Sequence, residues 1–112
     1  MLRKNITLTE TLVIPSDVTV TFAMHGHAIT YNGSDEAIEN NGTLTIVDYE
    51  DPDEALDPGD SSIVRNTGTG VAIENNGSLT LGASGGQANA NSPVISGGVT
   101  GNTPIIYDGK IE

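Results

Sequence analysis

The chain contains no cysteine and no tryptophan, four aromatic residues (Phe22, Tyr31, Tyr49 and Tyr107) and only four basic ones among 112. Without cysteine there are no disulfides, no thiolate metal sites and no cysteine nucleophile. With so few aromatics, an interior has to be filled by aliphatic side chains in thin layers, which suits a narrow coil. Four basic residues against fifteen acidic ones give a formal charge of −11, which repels phosphate backbones and anionic bilayers, so neither nucleic-acid binding nor membrane attachment is expected. No run approaches the roughly 18 apolar residues of a membrane-spanning helix, and no membrane insertion is expected. Met1, Leu2, Arg3 and Lys4 make a basic start, but Thr7, Thr9, Glu10 and Thr11 interrupt the apolar run that a secretion signal requires, so the segment does not read as one.

What the chain does have is a repeat. AIENNGTLTIVD (37–48) returns as AIENNGSLTLGA (72–83), 35 residues later. A period of that size marks a unit that cannot bury its apolar side alone and shares a continuous core with its neighbours. Within each copy Thr43-Leu44-Thr45-Ile46 and Ser78-Leu79-Thr80-Leu81 alternate polar and apolar, the period of a half-buried strand. The preceding Asn-Asn-Gly favours a tight corner. Val18, Val20 and Phe22 line up with the same strand one coil earlier, Ile29, Ile63 and Ile95 mark another, and a shortened copy runs from Ile106 through Tyr107, Asp108, Gly109 and Lys110 to Ile111.

The reading is a single all-β domain over residues 1–112: a β-solenoid of about three coils of 32–35 residues, with three short strands each. Two insertions, the acidic 49–60 and the Gly-, Ala- and Asn-rich 83–92, fall at one corner, which becomes the variable surface.

Residues 12–48, LVIPSDVTVTFAMHGHAITYNGSDEAIENNGTLTIVD, resemble the right-handed parallel β-helix repeats of bacterial adhesin-like surface proteins, in the pectate-lyase-like superfamily. The resemblance extends to about Ile111. It implies right-handed coiling and an extracellular, cell-surface or virion-surface setting. It also implies a stalk or adhesive role, as a module of a longer surface protein, with a host glycan or protein as partner. The stacked asparagines of such repeats match Asn40 and Asn41 over Asn75 and Asn76, with Asp108 replacing one of them in the last copy.

Seven carboxylates crowd residues 48–60: Asp48, Glu50, Asp51, Asp53, Glu54, Asp57 and Asp60. Together they are the candidate for a calcium site. Their spacing fits neither the EF-hand nor the nonapeptide calcium repeat, and Pro52 and Pro58 favour an extended, solvated excursion. His25 and His27, two apart, would share one side of a strand and could pair on a metal; Gly26 between them favours a turn instead. No cofactor is therefore expected.

An enzymatic reading draws on the lyases and glycosidases of the same superfamily. A lyase needs a strong base near cation-holding carboxylates, and a hydrolase needs two opposed carboxylates. Arg3, Lys4, Arg65 and Lys110 are the whole supply of Lys and Arg, and none aligns with an acid pair in the repeat. The expectation is a non-enzymatic module, the alternative being a fragment of a polysaccharide-processing β-helix or a phage tail spike. A short coil stack exposes apolar ends and open strand edges, which implies self-association by stacking or trimerisation.

Overall fold

Alternation of polar with aliphatic residues commits a strand to one inward and one outward face, as Thr or Ser with Leu or Ile does at 43–46 and 78–81. The computed structural model describes residues 2–48, 62–82 and 93–112; the segments 49–61 and 83–92, which contain both inserted stretches, lie outside the described residues. After β1 (Ile6–Thr7) the chain makes four circuits of three strands. They are β2 (Leu12–Ile14), β3 (Thr19–Ala23) and β4 (Ala28–Tyr31); β5 (Ile38–Asn40), β6 (Thr43–Val47) and β7 (Ile63–Asn66); β8 (Ile73–Asn75), β9 (Ser78–Leu81) and β10 (Val94–Ser96); β11 (Val99–Gly101), β12 (Ile105–Ile106) and β13 (Lys110–Ile111).

Corresponding strands of successive circuits pair in three sheets. Sheet I has the order β1-β4-β7-β10-β13, sheet II β11-β8-β5-β2 and sheet III β12-β9-β6-β3. Every pairing is parallel. Each circuit visits sheets II, III and I in turn, which makes the molecule a parallel β-helix with three strands per coil.

Register explains the repeat. Ile38 stands over Ile73, Asn40 over Asn75, Leu44 over Leu79 and Ile46 over Leu81, each 35 residues apart. That spacing belongs to the middle of the stack. Leu12 pairs with Ile38 and Ile73 with Val99, each 26 residues on, and the last step, Ile95 to Ile111, takes only 16. One correspondence expected from the sequence shifts by a residue: Val64, not Ile63, lies between Ile29 and Ile95, while Ile63 pairs with Ala28 and Val94. Two adjacent β-branched residues satisfy a period of two equally well, and the choice is made by packing. Val64 is fully buried and Ile63 half-buried.

The core is a column of aliphatic layers: Ile14 and Met24, then Ile38, Leu44, Ile46 and Val64, then Ile73, Leu79, Leu81 and Ile95. Each large side chain withdrawn from water contributes on the order of 1.5–3 kcal/mol. The column thins toward both ends, where Val20 and Phe22 on one side and Val99 and Ile111 on the other are only partly covered. Ile105, Ile106 and Tyr107 are exposed at the last circuit.

Candidate functional sites

The corner between sheets II and III is built from asparagine and glycine. Asn40 and Asn75 end β5 and β8 with their side chains turned inward and fully buried. The Asn40 amide donates from Nδ2 to Asn75 Oδ1 at 3.0 Å and to the Ser78 carbonyl at 2.9 Å, while its Oδ1 accepts from the Gly42 amide at 3.2 Å. Asn75 Nδ2 continues the column by donating to the Asn102 carbonyl at 3.0 Å. A second, outer column runs alongside: Asn76 Nδ2 donates to Asn41 Oδ1 at 2.9 Å, and Asn102 Nδ2 to the Gly77 carbonyl at 3.0 Å. These bonds occupy corner carbonyls and amides that strand pairing leaves over. Gly42 and Gly77 let the corners stack flush, since a Cβ on Gly77 would fall on the Gly42 carbonyl oxygen.

Asp108 does not take an asparagine's place in this column. Gly101 pairs with Asn75, and Asn102 carries the next level. The last circuit is too short for the repeat's numbering to hold, and Asp108 falls at the corner between sheets III and I instead.

The corner between sheets I and II has its own buried asparagine, Asn66. It accepts at Oδ1 from the amides of Gly68 at 2.9 Å and Gly33 at 3.3 Å, and donates to the carbonyls of Asp35 at 2.8 Å and Val71 at 3.1 Å. All four capacities of one side chain are used to tie two coils together.

At the corner between sheets III and I, Met24 to His27 form a turn closed by the His27 amide on the Met24 carbonyl at 3.0 Å. His25 and Gly26 have φ of 51° and 76°, positive at both central positions as in a type I′ turn. The two histidines therefore sit in a turn, not on a strand. The His25 amide donates to the Asp48 carbonyl at 2.6 Å, and the Gly26 amide to Ser62 Oγ at 3.1 Å. Burial pushes the Asp48 carboxyl up to about 6; a hydrogen bond with Ser62 opposes the shift and the negative charge of Asp108 adds to it. One of its oxygens, Oδ1, is buried and has no hydrogen-bond partner among the described residues. Asp48 and Ser62 flank the acidic insertion in sequence, and their contact joins its two described ends. Of the seven calcium candidates only Asp48 is described; Glu50, Asp51, Asp53, Glu54, Asp57 and Asp60 lie outside the described residues.

A different acidic group appears on the outer face of sheet II. Glu39 and Glu74 stand side by side in register, and with Glu36 they bring carboxylate oxygens within 4.8 Å of one another. The repeated IENNG already contains this juxtaposition, because identical outward residues one coil apart become neighbours. Arg65 lies on sheet I, where its Nε donates to Thr30 Oγ1 at 2.9 Å, and Lys110 pairs with Glu112 at 2.9 Å. Base and carboxylate cluster therefore occupy different faces. Tyr31 and Tyr107 belong to different circuits, and Tyr49 is outside the described residues. No protein-family model, no curated protein and no solved structure matches the chain.

Proposed function

We propose that the chain is a non-enzymatic structural and adhesive module of the adhesin-like β-helix type, displayed at a bacterial or phage surface. In this reading its stacked coils present segments 49–60 and 83–92 to a host glycan or protein. The observation that carries the reading is topological: one segment joins β6 to β7 and the other β9 to β10, so the described ends of both lie between sheets III and I at successive levels. Two variable segments whose described ends lie on neighbouring rungs of a hydrogen-bonded stack would meet a partner from a common base, which lowers the ordering cost of binding.

The test replaces each segment in turn with a short Gly-Ser linker and compares retention on immobilised glycans and on intact host cells. Circular dichroism verifies the fold. Retention of the parent chain, with a loss of tenfold or more on either replacement, is the expected outcome. No retention by the parent chain, or retention indifferent to both replacements, refutes the proposal. Release of new reducing ends from a polysaccharide would move the assignment to the glycan-processing class. Light scattering with and without calcium checks self-association and the acidic segment together.

A further inference from the structure

The outer face of sheet III differs from the other two in carrying two successive ranks of hydroxyls over three consecutive strands, with Ala23 beside Val47 at the next position of the same parity. Thr19, Thr43 and Ser78 stand in one rank and Thr21, Thr45 and Thr80 in the next, each in parallel register. Their neighbours along the strands, Val20, Leu44 and Leu79 with Phe22, Ile46 and Leu81, turn inward. No residue of β3, β6 or β9 is charged, in a chain whose formal charge is −11. The outer rank of sheet II, by contrast, is Val13, Glu39, Glu74 and Thr100, and that of sheet I is Thr7, Thr30, Arg65 and Ser96. The general preference of sheets for threonine acts on all three faces and does not single one out.

Three other threonines spend their hydroxyls on the protein. Thr11 Oγ1 donates to the Glu36 carbonyl, Thr30 Oγ1 accepts from Arg65 and Thr67 Oγ1 donates to the Tyr31 carbonyl. Among the described residues no hydrogen bond engages the side-chain oxygens of Thr19, Thr21, Thr43, Thr45, Ser78 or Thr80. They are left to whatever lies outside.

Parallel strands set the lattice. Ranks repeat about every 4.8 Å across the sheet and about every 6.6 Å along a strand; the first is near the shorter repeat of the oxygen lattice on a prism face of hexagonal ice, and the second falls somewhat short of its longer one. Threonine's branched Cβ holds its hydroxyl and methyl in few rotamers, so the array is largely ordered before it meets a surface. Methyls between the hydroxyls favour ordered water over freely exchanging solvent, and the absence of charge avoids strongly hydrated ions at the contact. The array is small and ends in the fourth circuit, where Ile105 stands beside Thr80.

We infer that the outer face of sheet III is an ice-binding surface, whose ligand is the ordered water lattice of ice. This goes beyond the adhesive reading and uses a different surface, so each fails independently of the other.

The test is partition of the purified chain into slowly growing ice, alongside a non-binding protein of similar size. Thr45→Lys and Thr21→Lys are placed within the array; Glu74→Lys, on sheet II, is the control. All are checked by circular dichroism, and Thr21→Lys, near the end of the stack, keeps the test open if Thr45→Lys does not fold. The expected result is several-fold enrichment of the parent chain and of Glu74→Lys in the ice fraction, with either threonine variant reduced to the level of the non-binding protein. Exclusion of the parent chain from ice overturns the inference. So does equal loss in Glu74→Lys, and so does retention on crystalline cellulose or chitin accompanied by exclusion from ice.

Discussion

Replacing Asn40 with aspartate changes one atom's chemistry and almost nothing of shape, which makes Asn40→Asp the sharpest probe of the asparagine column. The native amide donates twice, to Asn75 Oδ1 at 3.0 Å and to the Ser78 carbonyl at 2.9 Å, and accepts once from the Gly42 amide. Ionised aspartate keeps the acceptor and turns both donations into oxygen facing oxygen, in a position that is 0% exposed. The buried acid responds by holding its proton, and burial of this kind raises a carboxyl by about 3 units above its usual value near 4. At 1.36 kcal/mol per unit, the raised pKa adds about 4 kcal/mol to the deficit by pH 7, a large part of the 5–15 kcal/mol that stabilises a typical domain. The sign is set by proton binding. Between the unfolded and folded pKa values the native state holds more protons, so the variant loses stability as pH rises from about 4 to about 7. Below about pH 4 both states are protonated; the carboxylic acid then donates once instead of twice, and the deficit shrinks to about 1 kcal/mol. Urea denaturation of parent and variant at pH 4 and pH 7 measures both numbers. A deficit at pH 7 below about 0.5 kcal/mol, or one of equal size at both pH values, refutes the reasoning.

Asp48 carries the same sign in the native protein: a carboxyl pushed up to about 6 costs stability as pH rises from about 4 through 6. Its partial exposure screens the effect to about 1 kcal/mol, so Asp48→Asn should raise the thermal midpoint at pH 7.5 and leave it nearly unchanged at pH 4.5, as read by calorimetry. Gly77→Ala should cost more than about 3 kcal/mol in chemical denaturation, because its Cβ meets the Gly42 carbonyl backbone. Gly98→Ala, with φ of 86° and nothing within 4 Å of the added atom, should cost only the 1–2 kcal/mol or so of a left-handed residue. Glu74→Lys turns a like-charge neighbour of Glu36 and Glu39 into an opposite one and should stabilise by about 0.5 kcal/mol at low salt, a gain that disappears in 1 M NaCl.

The class of the fold was legible because its two determinants are written twice. AIENNG followed by an alternating strand, repeated 35 residues on, leaves little besides stacked coils. Legibility failed where the chemistry is local or the spacing contracts. Choosing Val64 over Ile63 needs the packing of three coils, since either residue fits the alternation. The final circuit contains no IENNG, so nothing in GNTPIIYDGK announces that Gly101 lies beside Asn75 or that Asn102 continues the column. Asn66 had a faint signal: an asparagine two residues before glycine is the pattern of a side chain accepting from the amide two residues ahead, the bond it makes to Gly68. The carboxylate cluster was readable in principle, because a repeat places identical outward residues next to one another and Glu39 must meet Glu74.

The three corners of the coil are not equivalent, and the difference governs what the molecule can vary. Between sheets II and III the two middle circuits take 6 residues, from Ile38 to Leu44 and from Ile73 to Leu79, against 8 from Leu12 to Val20 in the first. That corner holds both asparagine columns and two glycines whose Cβ positions are occupied by backbone; adding a residue there would break bonds on two coils at once. Between sheets III and I the chain takes 20 residues from Leu44 to Val64 but 16 from Leu79 to Ile95. Lengthening such a connection costs little, about 0.6 kcal/mol for each doubling, provided the strands on either side keep register. In the two middle circuits one corner is thus held at a single length by hydrogen bonds and steric closure while another differs between them. Because each coil touches only its neighbours, the outward ranks of sheets II and III can diverge, one toward carboxylates and the other toward hydroxyls, over the same aliphatic column.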